Sequence, residues 1–361
     1  MRDLGAFASG ERFAGRYEIE RLLKAGGMGA VYVATHAATR RKVAIKLMHP
    51  DIVADAEARA RFVQEAQVAT LIQSQHVVDV IDAGVDEATG LPFLAMELLQ
   101  GQELGEMLEA RGRLPPHEVV GLLAQAAKAL DRAHAAGIVH RDLKPENLFL
   151  SVTPDEPPKV KILDFGIAKM IQGAQQTTTR ATGTPLYMAP EQTKRSGGIG
   201  PTTDVWALGL IAYTLIVGRP YWQAEDINQL YAEILVEPLE SAVARAGRVG
   251  VGLPYAFDSW FFRCVNRDAS QRYPSASEAI AMLGMTLGVT MDLPPSLPMG
   301  HPSHPSHPSH PSHPSMARGP ALPTPSPGFS MQTAPGQATT GSPHLAASTG
   351  VTRPPSGNGK L

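Results

Sequence analysis

The chain has 361 residues, 43% hydrophobic and 18% charged, a balance that supports a packed core and excludes a wholly unfolded polymer. Its 32 basic and 34 acidic residues leave a formal net charge of −2, a balance in which nothing argues for nucleic acid or an anionic membrane surface as partner, and neither is expected. The single cysteine, Cys264, excludes an intrachain disulfide and makes the cytoplasm the expected location.

In chain order, residues 1–21 are rich in Arg, Asp and Glu and show no apolar core of a signal peptide. Short segments rich in β-branched and aromatic residues predict strands at 17–23, 30–34 and 42–48. Residues 56–73 carry Phe62, Ala66, Ala69, Leu71 and Ile72 near helical spacing. Two further strands are expected at 77–83 and 93–98. From about Leu104 the pattern turns mainly helical. Residues 118–136 place Val119, Leu122, Leu123, Ala126, Leu130 and Ala133 on one face, with Pro115 and Pro116 before them and Gly137 after. The apolar stretch 279–291 is shorter than the roughly 18 residues a membrane span needs and reads as a final core helix. Strands first and helices second predict an α+β fold of two lobes, and a cleft between lobes is a common ligand site.

Beyond Asp292 the chain has no Asp or Glu, a single aromatic residue, Phe329, and about half of the 31 prolines. Such a segment buries too little apolar area to offset its ordering entropy, so residues 293–361 are expected to form a disordered tail rich in Pro, Ser and His. Residues 301–315 are five copies of His-Pro-Ser. In a polyproline II helix of three residues per turn, rising ~3.1 Å each, the histidines line one edge ~9 Å apart. That is too wide for neighbours to share one metal without bending. A low-complexity linker, weak metal binding and docking of a protein partner all remain open readings.

Four groups carry candidate chemistry. Gly26-Gly27-Met28-Gly29-Ala30-Val31 lies between two strands, where glycines let backbone N–H groups approach phosphate oxygens. Taken alone it is equally an ordinary glycine-rich hairpin. Val43-Ala44-Ile45-Lys46 ends a strand on a lysine that needs a partner if buried. Glu65 on the following helix is one candidate, although it also stands at i+4 from Arg61. The string His140-Arg141-Asp142-Leu143-Lys144-Pro145-Glu146-Asn147 is far more specific. An Asp, a Lys and an Asn in one tight loop can orient a hydroxyl, neutralise a phosphoryl oxygen and ligate a metal. Asp164-Phe165-Gly166 follows an apolar strand at 160–163, where a carboxylate can hold a hard cation.

The order and spacing of these groups resemble the signature set of protein kinases. Ala189-Pro190-Glu191 follows at the distance of an activation segment, and Asp204-Val205-Trp206-Ala207-Leu208-Gly209 opens the next helix. The likeness covers about residues 17–287, with an N-lobe of about 17–97 and a C-lobe of about 101–287. The strings Gly26-Gly27-Met28-Gly29 and Tyr187-Met188-Ala189-Pro190-Glu191-Gln192 are similar to the bacterial branch of eukaryotic-type (Hanks-type) serine/threonine kinases.

The resemblance implies a small antiparallel-sheet N-lobe with one key helix and a larger, mainly helical C-lobe. It implies ATP and Mg²⁺, with Mn²⁺ as a substitute, and protein substrates bearing Ser or Thr. Asp142 would accept the hydroxyl proton and Lys144 would neutralise the moving phosphoryl group. Lys144 also marks Ser/Thr rather than Tyr specificity. Asn147 and Asp164 would ligate the metal. Lys46 would hold the α- and β-phosphates while paired with Glu65. Leu23, Gly26, Gly27, Gly29, Val31, Ala44, Met96, Glu97 and Leu98 would surround the nucleotide, with Met96 as gatekeeper. Arg141 would pair with a phosphorylated residue among Thr177, Thr178, Thr179 and Thr182, and Thr184 would line the acceptor floor. Glu191 and Arg272 would form a buried ion pair, with Asp204 structural. One departure stands out: Lys24 replaces the first glycine of the phosphate loop. It is expected to stiffen the turn or crowd the nucleotide, weakening ATP binding without abolishing it, so that restoring glycine would leave the KM for ATP equal or lower. A catalytically weak pseudokinase acting as a scaffold is the alternative function.

Overall fold

The computed structural model of the chain describes residues 7–26, 29–48, 72–165, 185–193 and 198–289. The chain divides into units Met1–Ser296 and Leu297–Leu361, and every described residue lies in the first. Residues 56–71 of the helix expected at 56–73, Gly27, Glu65, the threonines at 177–184 and the tail lie outside the described residues, while Ile72 and Gln73 are described and are not helical.

The first half builds a six-stranded antiparallel sheet. Its strands are β1 (Arg12–Phe13), β2 (Tyr17–Gly26), β3 (Gly29–His36), β4 (Lys42–Met48), β5 (Val80–Val85) and β6 (Pro92–Glu97), in the spatial order β1-β2-β3-β4-β6-β5. Alternation in β2 and β3 sends Tyr17, Ile19, Tyr32 and Ala34 to one face. There Phe7 and Phe13 cover them, Phe13 meeting Phe93 edge-on at 5.3 Å between centroids. The opposite face carries Ala44, Met48, Val78, Leu94 and Met96, packed with Val31, Leu98 and Leu163.

Sequence reading placed a strand at 77–83, but pairing begins at Val80. Val77 instead forms a parallel bridge to Ile162, and Val78 N donates to Ile162 O, so this edge is spent on the second half of the molecule. The pair Arg12–Phe13 was not foreseen, since two residues carry no readable period.

A small sheet joins the halves: β7 (Gly101–Glu103), β8 (Leu148–Ser151) and β9 (Lys159–Ile162), in that order. Helices α1 (Leu104–Arg111) and α2 (Pro116–Ala135) follow β7 in sequence. Pro116 opens α2 where its missing N–H costs nothing, and Gly137 follows its end at φ 76°. Beyond β9 come α3 (Pro201–Val217), α4 (Ile227–Leu235), α5 (Ala242–Arg248), α6 (Ala256–Cys264) and α7 (Ala276–Thr286).

Helix α3 is buried on all sides from Thr203 to Val217, which marks it as the axis of the core. Gly209 lets α6 come close, because a Cβ there would lie 2.5 Å from Cys264 Cβ. The last helix starts and stops earlier than its apolar run, 279–291, suggests. Ser275 caps the N-terminus at Glu278 N, and Gly288 at φ 64° follows the last turn. Among the described residues no helix is long and apolar enough to cross a membrane.

Candidate active site

The loop after α2 is held by a carboxylate from α3. Asp204 accepts the backbone N–H of His140 (2.9 Å) and of Arg141 (3.0 Å), and a third contact runs to His134 Nε2 at 2.8 Å. The side chain is almost wholly buried, so three donors satisfy a charge that water does not reach. Gln192 ties the same loop from the other side, donating from Nε2 to Arg141 O at 2.6 Å.

Arg141 itself sits at φ 66°, and Asp164 at φ 53°. Left-handed backbone costs a non-glycine residue about 1–3 kcal/mol and persists where neighbours over-determine it. Both strained residues flank the same place.

His140 links the loop to the strand carrying Asp164. Its Nε2 lies 2.8 Å from Leu163 O, while Nδ1 accepts from Asp142 N at 3.3 Å, a pattern that suits a neutral ring protonated at Nε2. The ring packs on Phe165 at 4.9 Å. Leu163 N then donates to Asn147 O at 2.9 Å, and Leu148 pairs with Ile162 across β8 and β9. The two loops are thus fastened at four points, and the side chains between them converge.

Within that space Asn147 Nδ2 donates to Asp142 O (2.7 Å) and lies 3.4 Å from Asp142 Oδ2. Lys144 Nζ stands 3.4 Å from the same carboxylate oxygen. Lys46 reaches down from β4 and donates to Asp164 Oδ2 at 2.6 Å. With its amide nitrogen used, Asn147 keeps its amide oxygen as an acceptor, and Asp164 supplies a carboxylate. Two hard oxygen donors fit Mg²⁺, which takes few protein ligands and completes its shell from phosphates and water. Among the described residues no group of three His, Cys, Asp or Glu is placed to hold a metal by itself.

Val31, Ala44, Met96, Leu98 and Leu163, five of the expected or neighbouring apolar residues, pack in one cluster on the face of the sheet opposite Tyr17 and Tyr32. Leu23 is apart from that group and 43% exposed. Glu97 closes β6, accepting Asp79 N at 2.8 Å and Lys161 Nζ at 2.5 Å. Gly29 has a structural duty of its own: a Cβ there would lie 1.9 Å from Leu47 O on β4. Leu163 and Lys161 escaped sequence reading. Alternation along Lys159–Ile162 buries Val160 and Ile162 and turns Lys161 to the other face, a signal for Lys161; Leu163 lies just past the strand and has no such signal.

Residues 17–282 match the protein kinase domain family. The chain belongs to that family. Its relatives include serine/threonine-protein kinase PknH of Mycobacterium tuberculosis, 36% identical over 265 residues that make up 73% of this chain and 41% of PknH. Serine/threonine-protein kinase PknL of the same organism is 35% identical over 268 residues, 74% of this chain and 64% of PknL. The chain therefore spans less than two thirds of the length of these curated relatives. The kinase domain of M. tuberculosis PknI has the same fold, with a TM-score of 0.62 at 28% identity, covering 78% of this chain and 100% of that domain.

The kinase's large half is pinned by a buried ion pair. Arg272 binds both oxygens of Glu191 (2.7 and 2.9 Å), donates to Thr202 O and Asn266 O, and lies over the Trp206 ring at 5.0 Å. Burial alone would push the Glu191 carboxyl up. The Arg272 hydrogen bonds and charge, with the Thr203 hydroxyl, outweigh it and hold the pKa below the ordinary carboxylate value.

The site residues expected from sequence thus divide in two. Asp142, Lys144, Asn147, Asp164 and Lys46 come together at the junction of the halves. Arg141, Asp204, Glu191 and Arg272 form the frame beneath. Lys46 pairs with Asp164, and the expected partner Glu65 lies outside the described residues.

Proposed function

We propose that this chain is an active serine/threonine protein kinase of the general, non-specific class, moving the γ-phosphoryl of ATP onto Ser or Thr hydroxyls of proteins. The observation that supports it most is the meeting of Asp142, Lys144 and Asn147 in one hydrogen-bonded group, fastened through His140 and Leu163 to the Lys46–Asp164 pair.

In this reading Asp142 accepts the hydroxyl proton as the oxygen attacks, and Asn147 and Lys144 hold its carboxylate in place. Lys144 also faces the developing charge on the transferred group. Lys46 leaves Asp164 to meet the α- and β-phosphates, and Met96, Ala44, Val31, Leu98 and Leu23 enclose the base. Gly26, Gly27 and Gly29 supply backbone donors for the phosphates. Asp164 and Asn147 would hold Mg²⁺, or Mn²⁺ in its place, which supplies charge neutralisation on the triphosphate. Protein substrates, a kinase domain of about 17–287 and a tail of 293–361 that docks partners belong to the same proposal, as does a cytoplasmic location, supported by the lone buried Cys264. No observation favours the scaffold alternative, since every charged group the transfer needs is present.

The test is autophosphorylation with Mg²⁺ and ATP in wild type and in Asp142→Asn, with nucleotide binding followed separately. Labelling in wild type, with binding but no labelling in the variant, is expected. Equal labelling of both would remove Asp142 as base. Phosphorylation is expected among Thr177, Thr178, Thr179 and Thr182, where Arg141 would pair with the new phosphate. Replacing Thr177, Thr178 and Thr179 by Ala should then lower activity. Full activity in that triple variant would end the regulatory part of the proposal.

A further inference from the structure

Lys24 is the residue that stands where the glycine pattern of the phosphate loop breaks, and its side chain leaves the strand altogether. Lys24 lies in β2 opposite Val31, and its Nζ donates to Glu103 Oε2 at 2.6 Å. The partners are separated by 79 residues and belong to different halves of the molecule. Glu103 ends β7 and starts α1, where its own N–H is accepted by Glu106 at 3.3 Å, so its position is set by the helix start. It also pairs with Phe149 in β8, the strand that begins directly after Asn147. Glu146 packs against the same turn: a Cβ on Gly105 would lie 3.2 Å from Glu146 Cγ. One lysine therefore meets the acidic start of α1, flanked by carboxylates of Glu106 and Glu146 that also favour its charged form.

We infer that the Lys24–Glu103 ion pair is a strap across the mouth of the nucleotide cleft, tying the phosphate-loop strand to the sheet that carries Asn147 and slowing the exit of bound nucleotide. The inference rests on the kinase reading above. Lys24 is a positioning residue: it acts on the nucleotide by holding β2 against the other half, without touching the reacting atoms. The sign is opposite to the crowding that sequence alone suggests. With the side chain drawn to Glu103, removing it should loosen nucleotide, and Lys24→Gly should raise the KM for ATP. Lys24 is 58% exposed and Glu103 16%, so the effect is that of a partly solvated pair. If the coupling of such a pair is lost only on opening, it corresponds to a rate change of up to about fivefold.

The experiment is stopped-flow release of a fluorescent ADP analogue from the full chain with Mg²⁺. Lys24→Met and Glu103→Gln should each speed release by about two- to fivefold. The double variant should be no faster than either alone, because the second change removes a contact already lost. Lys24→Arg should restore slow release. Wild type in ~1 M salt, where screening acts within ~3 Å, should approach the variants, while the variants themselves should change little. The loss in steady-state turnover should be carried by KM for ATP rather than by kcat. Wild-type release rates in both single variants, or additive effects in the double variant, would overturn the strap and leave the kinase reading standing. A wild type that takes up no nucleotide at all would overturn both.

Discussion

Two regions of the kinase use opposite charges in contrasting ways. Beneath the site, Arg272 and Glu191 meet through two bonds, with Arg272 fully buried and a further hydroxyl and two carbonyls completing the set. In the cleft, Lys46 and Asp164 make one contact, and their side chains are 18% and 34% exposed. Lys144 stands at 3.4 Å from an Asp142 carboxylate that is itself 23% exposed. Every nitrogen of the Arg272 guanidinium and both oxygens of Glu191 have a hydrogen-bond partner. The cleft pairs are wetter, and in the proposed mechanism arriving phosphates replace Asp164 as the partner of Lys46. One region holds the fold and the other holds charge ready to be traded.

That contrast can be broken by substitution. In the cleft, Asp142→Asn should lower kcat by about 10²- to 10⁴-fold, the range for loss of a general base, while leaving the urea midpoint close to wild type. Kinetics and a denaturation curve on the same protein check both halves of the statement. Below the cleft, Glu191→Ala or Arg272→Ala should lower stability by about 3–5 kcal/mol, because each leaves an uncompensated buried charge. Chemical denaturation reads this directly, and a loss under about 1 kcal/mol in both variants would show that the pair is weaker than its geometry implies.

The pair also fixes a pH dependence. The Glu191 carboxyl has a lower pKa in the folded state than when exposed. Its contribution is therefore complete above the unfolded value and is lost as pH falls through the depressed folded one. Urea midpoints measured from neutral pH into the acid range should show this limb in wild type and a flatter one in Glu191→Gln. A smaller effect is expected where two helices touch without charge. Gly209→Ala would put a methyl 2.5 Å from Cys264 Cβ, and the forced separation of α3 and α6 should cost about 1–3 kcal/mol. An unchanged thermal midpoint would show that the two helices can part freely.

Much of the fold was legible because its signals are local. Enrichment in β-branched and aromatic residues gave β2, β3 and β4, and the apolar face with its Pro and Gly boundaries gave α2 to within two residues at its start and one at its end. The loop His140–Asn147 was legible because the chemistry needs all its residue types within reach of one backbone turn. Legibility failed where a partner distant in sequence decides the matter. Strand β5 starts late because Val77 and Val78 bond to Ile162, and Phe13 is core because Phe93 lies beneath it.

By itself the sequence determined the types of the elements, the order of the motifs and the identity of the charged groups, since periodicity and short-range spacing are properties of the chain alone. Tertiary structure alone decided which charges meet. It turned Asp204 into the anchor of two loop amides, drew Lys46 to Asp164, and carried Lys24 over to Glu103. Each of these contacts spans more than 60 residues, a separation over which no local pattern constrains distance and only the packed core fixes where a side chain ends.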